Sequence, residues 1–237
     1  MNALEHFVCA SSLWRGLTQR HVLPWLLSGA RLGDHVLDIG AGYGAATPDL
    51  RKRVSRVTAL EYDANSVRRM KSQHSGDSFA ALQGDAAELP FADQTFSSAI
   101  SILVLHHLKS RELQDRMFAE AFRVLRPGGV FLAAEINDTW LNRAVHYKST
   151  FTPLTPGSAF ARLSAAGFSR ISVDMRGGGF RISASRAKEQ PVALPGQSQD
   201  HAANTSRDRD EVPATKSAES TAPLKAHGVA ATSSKLP

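Results

Sequence analysis

The sequence predicts an α/β chain: a doubly wound, mainly parallel sheet that finishes in an antiparallel hairpin. Three observations predict it. Short apolar runs alternate with helical stretches from His35 onward, and strands separated by helices imply right-handed parallel crossovers. The first run, Val36-Leu37-Asp38-Ile39, passes directly into Gly40-Ala41-Gly42-Tyr43-Gly44, a strand-to-turn junction at which bare backbone can approach a ligand. Two alternating segments, about 169–175 and 180–185, flank Arg176-Gly177-Gly178-Gly179, which reads as a hairpin.

The elements follow in order. Residues 1–34 form a helical cap with Trp14, Leu17, Val22, Leu23, Trp25, Leu26 and Leu27, broken or restarted at Pro24. The first strand spans about 35–39. Thr47-Pro48-Asp49 offers an N-cap, a proline at the first helical position and an acid in the first turn. A second strand at about 56–60 ends on Glu61, a helix spans about 64–73, and a third strand at about 79–83 ends at Gly84-Asp85. The fourth strand covers about 97–103. Ser110 caps a helix to about Leu125, with Leu113, Met117, Ala121 and Val124 or Leu125 on one face. Arg126-Pro127-Gly128-Gly129 stops that helix, and the fifth strand spans about 130–135. A last helix at about 156–166 precedes the hairpin.

These elements place one domain at 35–187. Residues 188–237 lack Phe, Trp and Tyr and contain five prolines. Such a stretch cannot bury enough apolar surface to offset its ordering entropy, so a disordered tail is expected. That tail carries six basic and six acidic residues, so the net charge of +6 belongs to residues 1–187. Clusters occur at Arg51-Lys52-Arg53 with Arg56 and at Arg68-Arg69 with Lys71. No aromatic residues interleave with them, so they read as solvated helix faces rather than a nucleic-acid surface. The single Cys9 excludes an internal disulfide framework and fits a reducing cytoplasm. No apolar run approaches the ~18 residues of a membrane span, and the N-terminus lacks a secretory pattern.

The loop Gly40-Ala41-Gly42-Tyr43-Gly44-Ala45 fits the dinucleotide pattern G-x-G-x-x-[G/A] as well as a shorter G-x-G-x-G. Asp38, two residues before the first glycine, is a carboxylate at a buried strand end, costly unless it orders turn amides or meets a ligand cation. Glu61 follows the loop by about 20 residues, the spacing of an acid that accepts from ribose hydroxyls. Asp85 can accept from an adenine amino group, with the Ala86 amide at a ring nitrogen and Leu89 or Phe91 packed nearby.

The motifs VLDIGAGYG (36–44), VTALEYD (57–63), GDAAELPF (84–91), LVLHHL (103–108) and RVLRPGGVF (123–131) resemble, in order and spacing, the class I S-adenosylmethionine-dependent methyltransferases. The likeness covers about residues 33–187 and is nearest the small-molecule branch that includes the ubiquinone and menaquinone biosynthesis methyltransferases. It implies a Rossmann-like seven-stranded sheet with strand seven antiparallel, in agreement with the hairpin. It implies S-adenosyl-L-methionine as cofactor, with Asp38, Gly40, Ala41, Gly42 and Gly44 around the methionine part, Asp38 near its ammonium. Glu61 would hold the ribose, Tyr62 would lie against the adenine, and Asp85 with Ala86 would read its edge. Ser97 departs from the aspartate that commonly follows phenylalanine in the family.

An NAD-dependent oxidoreductase is the competing reading of the same loop. Asp85 and the proline-glycine-glycine element stand against it. A cofactor-binding protein without transferase activity is the third. A small-molecule methyl acceptor is expected, since no separate substrate domain exists. Of His106 and His107 after the fourth strand, adjacent side chains in extended chain point opposite ways, which leaves His106 as the candidate base. Glu135, Asn137, Tyr147 and Trp14 are candidate substrate contacts. No metal-ligand set is expected.

Overall fold

The computed structural model describes residues 11–188, within one compact unit. The tail expected at 188–237 lies, Lys188 apart, outside the described residues. A seven-stranded sheet runs in the order β3-β2-β1-β4-β5-β7-β6. Its strands are β1 (His35–Ile39), β2 (Arg56–Glu61), β3 (Phe79–Gln83), β4 (Phe96–Ile102), β5 (Leu125–Ile136), β6 (Ser169–Arg176) and β7 (Gly179–Ser185). The β1, β2, β3, β4 and β5 pairings are parallel, while β7 is antiparallel to both β5 and β6. The order reverses at β1, so β1 and β4 flank the switch point where doubly wound sheets bind ligands.

Every residue of β1 is buried, as a central parallel strand with both faces covered requires. Leu37 and Ile39 pack with Met117, Phe118 and Ala121 of α5 (Arg111–Val124) and with Ala159 and Leu163 of α7 (Pro156–Ala165). Val36 belongs to the opposite cluster, with Leu23 and Leu26 of α2 (Leu23–Leu26) and Leu50 of α3 (Thr47–Arg51). Val67 and Met70 of α4 (Ala64–Gln73) close over Ala59 and Ala81. Each fully buried large side chain contributes about 1.5–3 kcal/mol by leaving water, so these two faces hold the sheet.

The N-terminal part is α1 (Ser12–Leu17), capped by Ser11, then a π-helical turn at Thr18–Val22 and α2. Pro24 sits in the first turn of α2, the position at which its missing N–H costs nothing. The segment therefore restarts there, and its apolar residues cap the sheet. Gln19 also donates from Nε2 to the Ala45 carbonyl of the glycine loop at 3.1 Å.

Two boundaries differ from expectation. Thr47 is the first helical residue of α3 and not its cap: Ala46 takes the cap position with no side-chain bond. The Thr47 hydroxyl is instead buried and without a hydrogen-bond partner. The segment 126–129 does not separate α5 from a later strand. β5 begins at Leu125, directly after the helix, and 126–129 form an irregularity inside it: the pairing passes from Phe96↔Leu125 to Ser98↔Val130. Gly129 allows this close approach, since a Cβ there would lie 2.8 Å from the Arg126 carbonyl oxygen.

Candidate active site

The glycine loop leaves β1 in left-handed backbone. Gly40 has φ +70, and a Cβ on it would lie 2.4 Å from a Val104 methyl, so only glycine lets the turns after β1 and β4 touch. Gly42 has φ +56 with nothing within 4 Å of where a Cβ would stand: its backbone faces open space. The loop is braced from behind. The Gly40 and Ala41 amides donate to the Leu60 carbonyl at 2.8 and 3.0 Å, and Gly44 donates to Ala41 at 2.9 Å.

Glu61, at the end of β2, accepts from the Gly42 amide (2.8 Å) through one oxygen and from the Asp63 amide (2.9 Å) through the other. A carboxylate offers about four lone pairs, so two remain for an incoming diol. Asp63 caps α4 by accepting from the Ser66 amide and hydroxyl, both at 2.8 Å. Tyr62 lies between these anchors with three quarters of its surface exposed.

Asp38 is buried, and its Oδ2 has no hydrogen-bond partner. Burial, with the negative charge of Glu61, pushes its carboxyl up to about 7. A buried carboxylate oxygen without a partner is a standing cost that a cation can relieve. Asp85 is exposed and accepts from the Ala87 amide at 2.8 Å. Ala86 is partly buried against the main core. The loop after Asp85 is held by Glu120, which accepts from the Leu89 amide (2.8 Å), and by Arg123, which donates to the Leu89 and Phe91 carbonyls at 3.0 and 2.8 Å.

The second half of the edge begins at Leu103, a non-glycine residue at φ +58, a conformation costing on the order of 1–3 kcal/mol that clusters at functional sites. It turns the chain so that Val104 meets Gly40 and Leu105–His107 form a 3₁₀ turn. His106 and His107 are therefore not in extended chain. Their rings lie on the same side, centroids 4.2 Å apart, which corrects the expectation that they point opposite ways. His106 is buried and donates from Nδ1 to Glu135 Oε2 at 2.6 Å. The other Glu135 oxygen accepts from the Val104 and Leu105 amides at 2.9 and 2.8 Å. Glu135 is thus a buried brace for the histidine turn and not the substrate contact expected of it. Burial and the neighbouring His106 and His146 hold the His107 ring down to about 3.

His146, which the sequence did not single out, stands at the C-cap of α6 (Trp140–Val145) and joins the two histidines. Phe151 stacks on it, with centroids 4.6 Å apart. No local pattern could have found His146, because β5 and a loop separate it from its partners in sequence. Asn137 donates its amide to the Gly178 carbonyl at the hairpin and accepts on its own carbonyl from Asn142. Tyr147 is largely exposed and Trp14 partly buried. Among the described residues, no helix is long and apolar enough to cross a membrane.

Residues 37–133 match the methyltransferase domain model Methyltransf_11. The chain is 33% identical over 102 residues to a fatty-acid O-methyltransferase of Mycolicibacterium smegmatis, covering 42% of this chain and 36% of that protein. It is 32% identical over 108 residues to a demethylmenaquinone methyltransferase of Thermobifida fusca, covering 44% of each. The matched stretch thus spans less than half the length of these relatives. Among solved structures, it resembles an S-adenosylmethionine-dependent methyltransferase from Aquifex aeolicus (TM-score 0.64, 17% identity, 79% of this chain and 100% of that one). It likewise resembles one from Methanosarcina mazei (TM-score 0.56, 21% identity, 70% and 98%). The sheet order and the glycine loop of this chain agree with the fold of those solved structures, and the methyltransferase domain match at 37–133 spans both the loop and the β4 turn.

Proposed function

We propose that this chain transfers a methyl group from S-adenosyl-L-methionine to a small-molecule acceptor with a sizeable apolar body. The observation that carries the reading is the buried, unpartnered oxygen of Asp38 beside the open backbone of Gly42. That pair fits an amino-acid ammonium next to a close-approaching chain, which is what the methionine end of the cofactor offers. Gly40, Ala41 and Gly44 shape the same turn. Glu61 has acceptor capacity left for the ribose hydroxyls, and Asp85 with Ala86 fits the adenine edge. Exposed Tyr62 supplies a ring face beside them.

The cofactor supplies an electrophilic methyl group on a sulfonium. The residues here bind and align it, and exclude water around an in-line displacement in which charge is dispersed. Where the acceptor must lose a proton, His106 is the candidate general base: Nδ1 donates to Glu135, which leaves the lone pair on Nε2. An apolar acceptor is supported by exposed Trp140 and Leu141 in the segment after β5. It is also supported by relatives named for fatty-acid, demethylmenaquinone and sterol methylation. No aromatic residue interleaves in sequence with the basic clusters, which supports such an acceptor over nucleic acid. The single Cys9 supports a reducing, cytoplasmic setting.

Calorimetry with S-adenosylhomocysteine and with NADH, followed by a screen of apolar hydroxyl, enol and carboxyl acceptors for demethylated-cofactor release, tests the proposal. Binding of the first ligand only, with turnover on at least one acceptor, is expected. Preference for NADH would overturn it, and cofactor binding without turnover on any acceptor would favour a non-catalytic binding protein.

A further inference from the structure

Trp140 and Leu141, adjacent at the start of α6, are 80% and 56% exposed. We propose that this turn and the cations around it form a docking surface for an anionic lipid bilayer, with the two side chains seated among the headgroups.

A single exposed apolar residue is ordinary on a protein surface; this pair stands in a braced and charged setting. Thr139 accepts from the Asn142 amide at 3.2 Å, and Asn142 donates from Nδ2 to the Asn137 carbonyl at 2.7 Å. Arg143 donates twice to Asp138, at 2.7 Å each. The polar residues of the turn are thus spent on holding it, and a large aromatic and an aliphatic side chain are left in solvent. Their contact with water is a cost that burial relieves. A tryptophan beside an aliphatic residue suits the boundary between headgroups and acyl chains.

Charge points to the same partner. Residues 103–111 after β4 and residues 139–155 after β5 contain no Asp or Glu. They carry Lys109, Arg111, Arg143 and Lys148, all exposed. The two segments are neighbours in space: the Thr152 amide donates to the His106 carbonyl at 2.8 Å, and the His107 and His146 rings lie 5.4 Å apart. The bordering acids are Glu112 and Asp138, the latter bonded to Arg143, so four cations stand against two acids. An anionic leaflet attracts such a patch by roughly fivefold in affinity per cation. A second copy of the chain docked through a two-fold axis would set this patch against itself, cation facing cation. Nucleic acid would use the aromatic ring for stacking but has no need of Leu141.

The patch adjoins the turn whose Val104 meets Gly40. A bilayer held there would pass an apolar acceptor to the site without carrying it through water. That delivery rests on the methyl-transfer reading; bilayer docking does not.

The test is flotation of the full chain with phosphatidylcholine vesicles, with and without phosphatidylglycerol. Binding to the anionic vesicles at low salt is expected, and binding to the neutral ones should be at least roughly tenfold weaker. Trp140→Ser/Leu141→Ser should weaken binding roughly tenfold and Lys109→Gln/Lys148→Gln roughly 25-fold, with thermal melts confirming that both variants fold. Quenching of the unmodified chain's tryptophan emission by lipids brominated on the acyl chain is also expected, and needs no variant. No binding of the unmodified chain to anionic vesicles would overturn the proposal, as would unchanged binding by the folded Trp140→Ser/Leu141→Ser variant. So would self-association, or binding of a single-stranded oligonucleotide, that depends on these residues while vesicle binding does not. A chain that floats but fails to bind S-adenosylhomocysteine would count against the methyltransferase reading and leave the docking surface standing.

Discussion

At the carboxyl edge of the sheet, β1 to β3 end in carboxylates and backbone amides, whereas β4 and β5 end in imidazoles around one buried glutamate. The first half is open: Gly42 faces space, Asp85 and Tyr62 are exposed, and Asp38 keeps an unpaired oxygen. The second half is closed, with His106 and Glu135 almost fully buried and bonded to each other. The difference separates two tasks. An open half built of backbone donors and spare carboxylate lone pairs is ready for a ligand common to a whole family. A closed half built of interlocked side chains has its polar groups engaged with one another, and in the proposed function it shapes the acceptor's side of the site.

Breaking the closed half should cost most in stability. Glu135→Ala leaves the His106 ring and two backbone amides without their acceptor, and loss of one partner of such a buried pair costs roughly 3–5 kcal/mol. Denaturant unfolding checks it; a loss below about 1 kcal/mol would mean water or a shifted chain replaces the carboxylate. Gly40→Ala attacks the contact between the halves. A methyl driven against Val104 from a left-handed backbone should destabilise by roughly 1–3 kcal/mol and weaken cofactor binding, whereas Gly42→Ala, with nothing nearby, should spare stability more and affect binding. Comparing the two unfolding curves with their S-adenosylhomocysteine titrations sharpens where the halves meet. Asp85→Ala, in the open half, should leave the fold intact and weaken cofactor binding by about 1–2 kcal/mol; unchanged affinity would remove Asp85 from the adenine edge.

The same contrast decides what the sequence could reveal. Strand identities, α4 and the hairpin were legible because period and punctuation are local properties. So was the position of Asp38, Glu61 and Asp85 at the carboxyl edge, since parallel strands deliver their carboxyl ends to one edge whatever packs around them. The histidine cluster was not. Its turn depends on the left-handed Leu103, its brace lies across the sheet in Glu135, and its third member arrives on a helix after β5. Glu135 read as a substrate contact because strand-end acids often are; only the paired strands show it facing the histidine turn. The start of β5 was missed for a similar reason. Its proline and glycines resemble a stop signal, yet in the sheet they form an irregularity that pairing on both sides tolerates.

The central claim is that Asp38 holds the cofactor's ammonium, and its titration offers the most direct test. Burial raises the carboxyl from 3.8 to about 7, so between those values the folded chain keeps a proton that the unfolded chain has lost. The stability this contributes is complete below pH 4 and declines as pH rises through about 7. Above it the ionised carboxylate needs a cation. Calorimetric titration with S-adenosylhomocysteine should therefore show affinity rising between pH 6 and pH 8 in the unmodified chain, with a weaker and pH-independent affinity in Asp38→Asn. Equal affinities in the two proteins across that range would contradict the assignment of Asp38 and, with it, this account of the glycine loop.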